Sequence, residues 1–113
     1  MKKVSILAIF TIFSAQAADI SLDDQLFKAI DANNVRLMNR LLRQGADPNS
    51  NNGAPLKLAI LHRNKLMIEY LLVRGADPKY KIEGSQFSSP LEFAKNPKFN
   101  VPEGIITRLT SPY

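Results

Sequence analysis

A chain of 113 residues has room for one small domain, and with 45% apolar residues it can bury a core. It has no cysteine, which excludes disulfides, thiolate metal sites and a cysteine nucleophile. The formal charge of +5 is a mild excess and not the clustered basic stripe of a nucleic-acid-binding protein.

Residues 1–17 read as a segment that is removed. Lys2 and Lys3 form a basic start, Val4 to Phe13 is apolar apart from Ser5 and Thr11, and Ala15-Gln16-Ala17 supplies small residues ahead of a cut after Ala17. That order looks like a bacterial secretory signal peptide. The apolar run falls short of the ~20 residues of a membrane span. The expected location is periplasmic or secreted, with no stable membrane anchor. Cleavage takes away two lysines and no acid.

Ser21-Leu22-Asp23-Asp24 opens a helix: Ser21 can cap it, and the acids sit at the positive end of its dipole. Leu22, Leu26, Ala29 and Ile30 then fall on one helical face. Asp31 to Asn34 breaks the pattern as a tight turn. A second helix carries Val35, Leu37, Met38, Leu41 and Leu42 on one side and Arg36, Asn39, Arg40 and Arg43 on the other. Gly45 stops it by taking a left-handed conformation, and Asp47-Pro48 turns the chain outward. Asn49 to Gly53 is a polar turn tip. A β-branched residue should therefore cost more at Gly75, the second helix stop, than at Asn51.

The pattern then returns, shifted by 30 positions. Leu41-Leu42-Arg43-Gln44-Gly45-Ala46-Asp47-Pro48 comes back as Leu71-Leu72-Val73-Arg74-Gly75-Ala76-Asp77-Pro78. Leu26, Ala29, Ile30 and Asn34 return as Leu56, Ala59, Ile60 and Asn64, which makes ten identical pairs between 25–49 and 55–79. An echo of this length marks stacked supersecondary units. In the second unit Pro55 opens a short helix with Leu56, Leu58, Ala59, Ile60 and Leu61, and Met67, Ile68, Leu71 and Leu72 line its partner. A third unit is degenerate. Ser89-Pro90-Leu91-Glu92 starts a helix that Asn96-Pro97 ends early, and a last helix carries Ile105, Ile106 and Leu109.

Leu-Leu-x-x-Gly-Ala-Asp-Pro closing a helix pair, followed by Ala54-Pro55-Leu56-Lys57-Leu58-Ala59, resembles the ankyrin repeat. Pro90-Leu91-x-Phe93-Ala94 fits the same pattern. The resemblance covers about 22–110 and implies an all-α repeat. That fold is an ankyrin-type solenoid of about three helix-turn-helix units with β-turn fingers, its last unit a degenerate cap. The units fall at about 21–49, 53–79 and 88–110 within a domain of residues 18–113. Ala54 and Ser89 stand where the family has threonine, and Lys57 and Glu92 where it has histidine. The loop from Pro48 to Pro55 is shorter than the family's and that from Pro78 to Pro90 longer, so the second finger should project.

No enzyme chemistry is expected. His62 is the single histidine, no Gly-x-Ser-x-Gly motif accompanies it, and the glycines sit singly at turns. No cofactor and no metal are called for. The resemblance implies a non-catalytic protein–protein interaction module, a monomer when unbound. Exported from the cytoplasm, it would bind another exported protein as an immunity-type inhibitor or an accessory factor. Alternatives are a secreted effector acting on a host protein, and an anionic-ligand binder using Lys57, Arg63, Lys65, Lys79 and Lys81. In the long finger, Tyr80 and Ile82 alternate with Lys79, Lys81 and Glu83 as on one face of a strand, and Phe87 returns after Gly84-Ser85. These apolar residues either pack on one another or anchor a partner. Lys57, Leu61, His62, Tyr80, Lys81, Ile82 and Phe87 are the expected contact residues.

Overall fold

Nine of the ten identical pairs have a shared physical task in the structure, a computed structural model that describes residues 20–111. The segment read as a signal peptide lies outside the described residues. Helix α1 (Leu22–Asp31) opens where Ser21 Oγ accepts from the Asp24 N–H at 3.1 Å. It buries Leu26, Ala29 and Ile30, and α3 (Ser50–His62) buries Leu56, Ala59 and Ile60 at the matching positions. Asn34 and Asn64 are helix caps: each side-chain oxygen accepts from the N–H three residues on, that of Leu37 or Met67, at 3.1 Å. They start α2 (Val35–Arg43) and α4 (Lys65–Val73). The residues just before them, Asn33 and Arg63, sit at φ 57° and 53°.

The Leu-Leu-x-x-Gly-Ala-Asp-Pro stretch is a helix exit set by its leucines, glycine, alanine and aspartate. Gly45 N–H donates to Leu42 O at 3.1 Å and Ala46 N–H to Leu41 O at 3.0 Å. Gly75 and Ala76 repeat these bonds to Leu72 O and Leu71 O at 3.1 and 2.9 Å. This is the paired closure that needs a left-handed residue at the glycine, with the next residue tucked against the last turn. Gly45 and Gly75 adopt φ 109° and 102°, and Ala46 and Ala76 are buried. Asp47 and Asp77 then make two turns at once. Each carboxylate accepts from the N–H two residues on at 2.9 Å, and each carbonyl accepts from the N–H three residues on, at 3.1 and 3.0 Å.

The helices lie in two rows. α1, α3 and α5 (Pro90–Lys95) pack in sequence, while α2 packs on α1 and α4, and α4 on α3. α6 (Glu103–Thr110) packs on α5 after a 3₁₀ turn at Pro97–Phe99. The core is continuous through both rows, from Leu26 and Met38 to Ile105 and Leu109. Ser89 caps α5 by accepting from the Glu92 N–H at 3.2 Å, with Pro90 in the first turn.

Two expectations change. Among the described residues there is no strand, so the long finger is not the predicted strand pair: it is a loop closed by two backbone bonds, Ile82 N–H to Ser88 O at 3.0 Å and, at its base, Leu91 N–H to Pro78 O at 2.8 Å. Secondly, Asn51, Asn52 and Gly53 all sit at positive φ (50°, 62° and 80°) at the head of α3. The contrast between Asn51 and Gly75 therefore disappears, because both are left-handed positions. Lys79 is the better reference, an exposed residue without that constraint. A Cβ on Gly75 would meet nothing within 4 Å, so any loss there is conformational and not steric. Gly75→Val is expected to lower unfolding free energy by about 1–3 kcal/mol, and Lys79→Val to leave it nearly unchanged. Urea titrations of the two variants decide this, and equal midpoints would contradict it.

Candidate interaction surface

Loops that sit side by side are tied by side chains, and this ladder positions the candidate surface. Asp47 N–H donates to Asp23 Oδ1 at 2.8 Å, and Asp77 N–H to Asn49 Oδ1 at 2.8 Å. Asn49 also donates to Gly75 O at 3.1 Å. One rung further, Asn52 bonds the backbone of Glu83 twice, donating to its oxygen at 3.0 Å and accepting from its N–H at 3.3 Å. The left-handed turn at Asn51 to Gly53 is what brings Asn52 to the finger. Tyr80 and Ile82 close over Gly53, where an added Cβ would lie 3.4 Å from Tyr80 Cδ1 and 3.9 Å from Ile82 Cγ1.

The seven expected contact residues separate by depth. Ile82 is 8% exposed and faces inward, and Tyr80 is half-buried. Phe87 joins an aromatic cluster, its ring centroid 5.3 Å from Phe93 and 5.6 Å from Phe99, edge on to both. Lys57 Nζ lies 5.1 Å from the centre of the Phe93 ring, a cation–π contact that draws α3, α5 and the finger's return together. Leu61 (41% exposed), His62 and Lys81 stand in solvent. Lys57 and Leu61 share one face of α3, four residues apart. Sequence reasoning missed the aromatic cluster; its signal is the even spacing of Phe87, Phe93 and Phe99.

The five cations considered for an anionic ligand do not converge. Arg63 donates to the carbonyl oxygens of Phe99 and Asn100, fastening the 3₁₀ turn to the end of α3. Lys57 is committed to Phe93, and Lys81 faces Glu83 at 3.9 Å. Lys65 is the first residue of α4, and Lys79 follows the exit loop beyond that helix's other end. Among the described residues no group of three His, Asp or Glu side chains gathers where a metal could sit. No helix there is long and apolar enough to cross a membrane. A cleft of about 510 Å³ lies between the ends of α4 and α6 and is lined by Leu72, Val73, Pro78, Lys79 and Leu109 among others.

Comparison with known proteins gives two relatives. A bovine (Bos taurus) protein named mitochondrial disaggregase is 37% identical over 91 residues, 78% of this chain and 13% of the relative. Its human (Homo sapiens) namesake is 38% identical over 76 residues, 65% of this chain and 10% of the relative. The chain thus corresponds to a small part of either. No family model matches, and no solved structure matches. These names correct one expectation. Both relatives are mitochondrial proteins by name, which contradicts the periplasmic or secreted location read from residues 1–17.

One ion pair joins α4 to α6: Arg108 donates to both carboxylate oxygens of Glu69, at 2.7 Å each. Those hydrogen bonds hold the Glu69 carboxyl below the usual range, with the charge of Arg108 adding and partial burial opposing. A carboxylate whose folded pKa is depressed contributes stability above its unfolded pKa and loses it as pH falls through the folded one. Glu69→Gln is therefore expected to lower the urea midpoint at pH 7, by an amount that shrinks as pH falls below the ordinary glutamate value of ~4.3 and vanishes only below the lowered folded one. A difference between the two proteins that persists unchanged at pH 3 would contradict the assignment.

Proposed function

We propose that this chain is a non-catalytic protein–protein interaction module of the ankyrin type, with its helix pairs stacked as a short solenoid and the last unit as its cap. The observation that carries the reading is the thirty-residue correspondence of roles. The same caps, the same helix exits and the same Asp-Pro turns recur at Asn34 and Asn64, Gly45 and Gly75, Asp47 and Asp77. Those roles are what the repeated motif demands of its residues, and they leave α3 and the finger facing solvent side by side. His62, the single histidine, stands in solvent without a side-chain hydrogen bond to a described residue, so it is not held against a nucleophile there.

The contact surface in this reading is Lys57, Leu61 and His62 on α3 with Tyr80 and Lys81 on the finger, held from beneath by Ile82 and Phe87. Both relatives are named disaggregases, and the matched segment is a small part of each. In this chain that segment recognises a protein and carries no chemistry of its own.

The test is capture of the partner with the full chain as bait, followed by titration of that partner against surface variants. Leu61→Arg is expected to weaken binding by more than ~1 kcal/mol without moving the melting temperature, because Leu61 is outside the core. Phe87→Ala is expected to lower the melting temperature, because its ring packs on two others. Unchanged affinity for both Leu61→Arg and Lys81→Glu would remove this surface from the proposal.

A further inference from the structure

α4 carries an apolar stripe on the side away from the core. Leu66, Tyr70 and Val73 are 54%, 36% and 73% exposed, at the i, i+4, i+7 spacing that places all three on one helical face. The corresponding positions of α2, thirty residues earlier, are Arg36, Arg40 and Arg43, all exposed. So α2 solvates this face in the ordinary way, and α4 does not. Because α2 packs on α4, an arginine row lies alongside the apolar row.

The charges there are one-sided. Among the described residues none of the three arginines makes an ion pair. Neither helix has an acid in its first turn. The one acid on α4, Glu69, is held by Arg108 on the side towards α6. An apolar row flanked by uncommitted guanidinium groups matches an amphipathic helix whose apolar edge is bordered by carboxylates. Arginine forks suit carboxylates in paired geometry, and a helix reads such a face through i, i+4, i+7 anchors. A second copy of this chain would set arginines against arginines if α4 met α4 antiparallel. A bilayer would receive only three apolar side chains over two turns.

We propose that the outward face of α2 and α4 is a docking site for an acidic amphipathic helix of a partner protein, with Leu66, Tyr70 and Val73 as apolar contacts and Arg36, Arg40 and Arg43 as carboxylate receptors. This surface is separate from the one built on α3 and the finger, so either can fail without the other.

The test uses the full chain and a synthetic helical peptide with leucines at i, i+4 and i+7 bordered by glutamates; its control replaces the glutamates with lysines. The acidic peptide is expected to shift amide resonances along α2 and α4, and its affinity to fall steeply with salt. Leu66→Arg combined with Val73→Arg, which gives α4 the residues of α2, should weaken binding by at least about tenfold. Arg40→Glu should do the same by charge. Both variants are at exposed positions, and an unchanged circular dichroism melt shows that they fold. Equal binding of the lysine peptide, or no binding of either, overturns the proposal. So does a concentration-dependent dimer abolished by Val73→Arg, which gives the face to a second copy. Binding to phosphatidylserine-containing vesicles without binding to the peptide gives it to a membrane. Contacts of the Leu66 and Val73 methyls with residues 4–13 in the free chain give it to the chain's own N-terminal segment.

Discussion

Burial of Leu26, Ile30, Leu56, Ile60, Met67, Ile68 and Leu71 between helices is the interaction on which the rest of this structure depends. α1, α2 and α4 have 10, 9 and 9 residues, too short to persist alone in water. Each must gain its stability from the neighbour it covers, at about 1.5–3 kcal/mol per large side chain buried. α3 is central to this, since it packs on α1, α4 and α5. Removing part of its apolar face exposes three other helices at once.

What the core holds, the loops align. The rungs from Asp23 to Asp47, Asn49 to Asp77 and Asn52 to Glu83 are side-chain to backbone bonds that lie at the surface. Each has a modest net worth of about 1 kcal/mol. Their effect is geometric: they fix where each exit loop begins, and so where the finger stands beside α3. The exposed residues proposed to meet a partner are thus placed by groups that do not themselves touch it. Arg63, fastened to the 3₁₀ turn, and Glu69, fastened to Arg108, do the same for the last helix.

Much of this is legible in the sequence because the repeat itself marks the residues with fixed tasks. The identity of Gly45 with Gly75, and of Asp47 with Asp77, implies a backbone conformation shared by the two exits. The end of α5 at Asn96-Pro97 is legible for the same local reason. Three features are not. The finger's alternation of Lys79, Tyr80, Lys81 and Ile82 has the period of a strand, but no second strand pairs with it, and tertiary packing over Gly53 sets its course. The cluster of Phe87, Phe93 and Phe99 joins three separate elements, so its even spacing is not the period of any one of them. The replacement of Arg36, Arg40 and Arg43 by Leu66, Tyr70 and Val73 is visible in the sequence only by comparing where the two units differ, not where they agree.

If stacking supplies the stability, loss of core volume in α3 must weaken helices on both sides of it. Leu56→Ala is the direct test, since Leu56 is buried in α3 and its truncation costs about 2–5 kcal/mol. That is a large share of the ~5–15 kcal/mol that holds a small domain together. Native-state hydrogen exchange of the variant, read residue by residue, is expected to show protection falling by a similar factor in α1, α2, α4 and α5. Protection that falls in α3 alone, with α1 and α2 unchanged, would contradict the account.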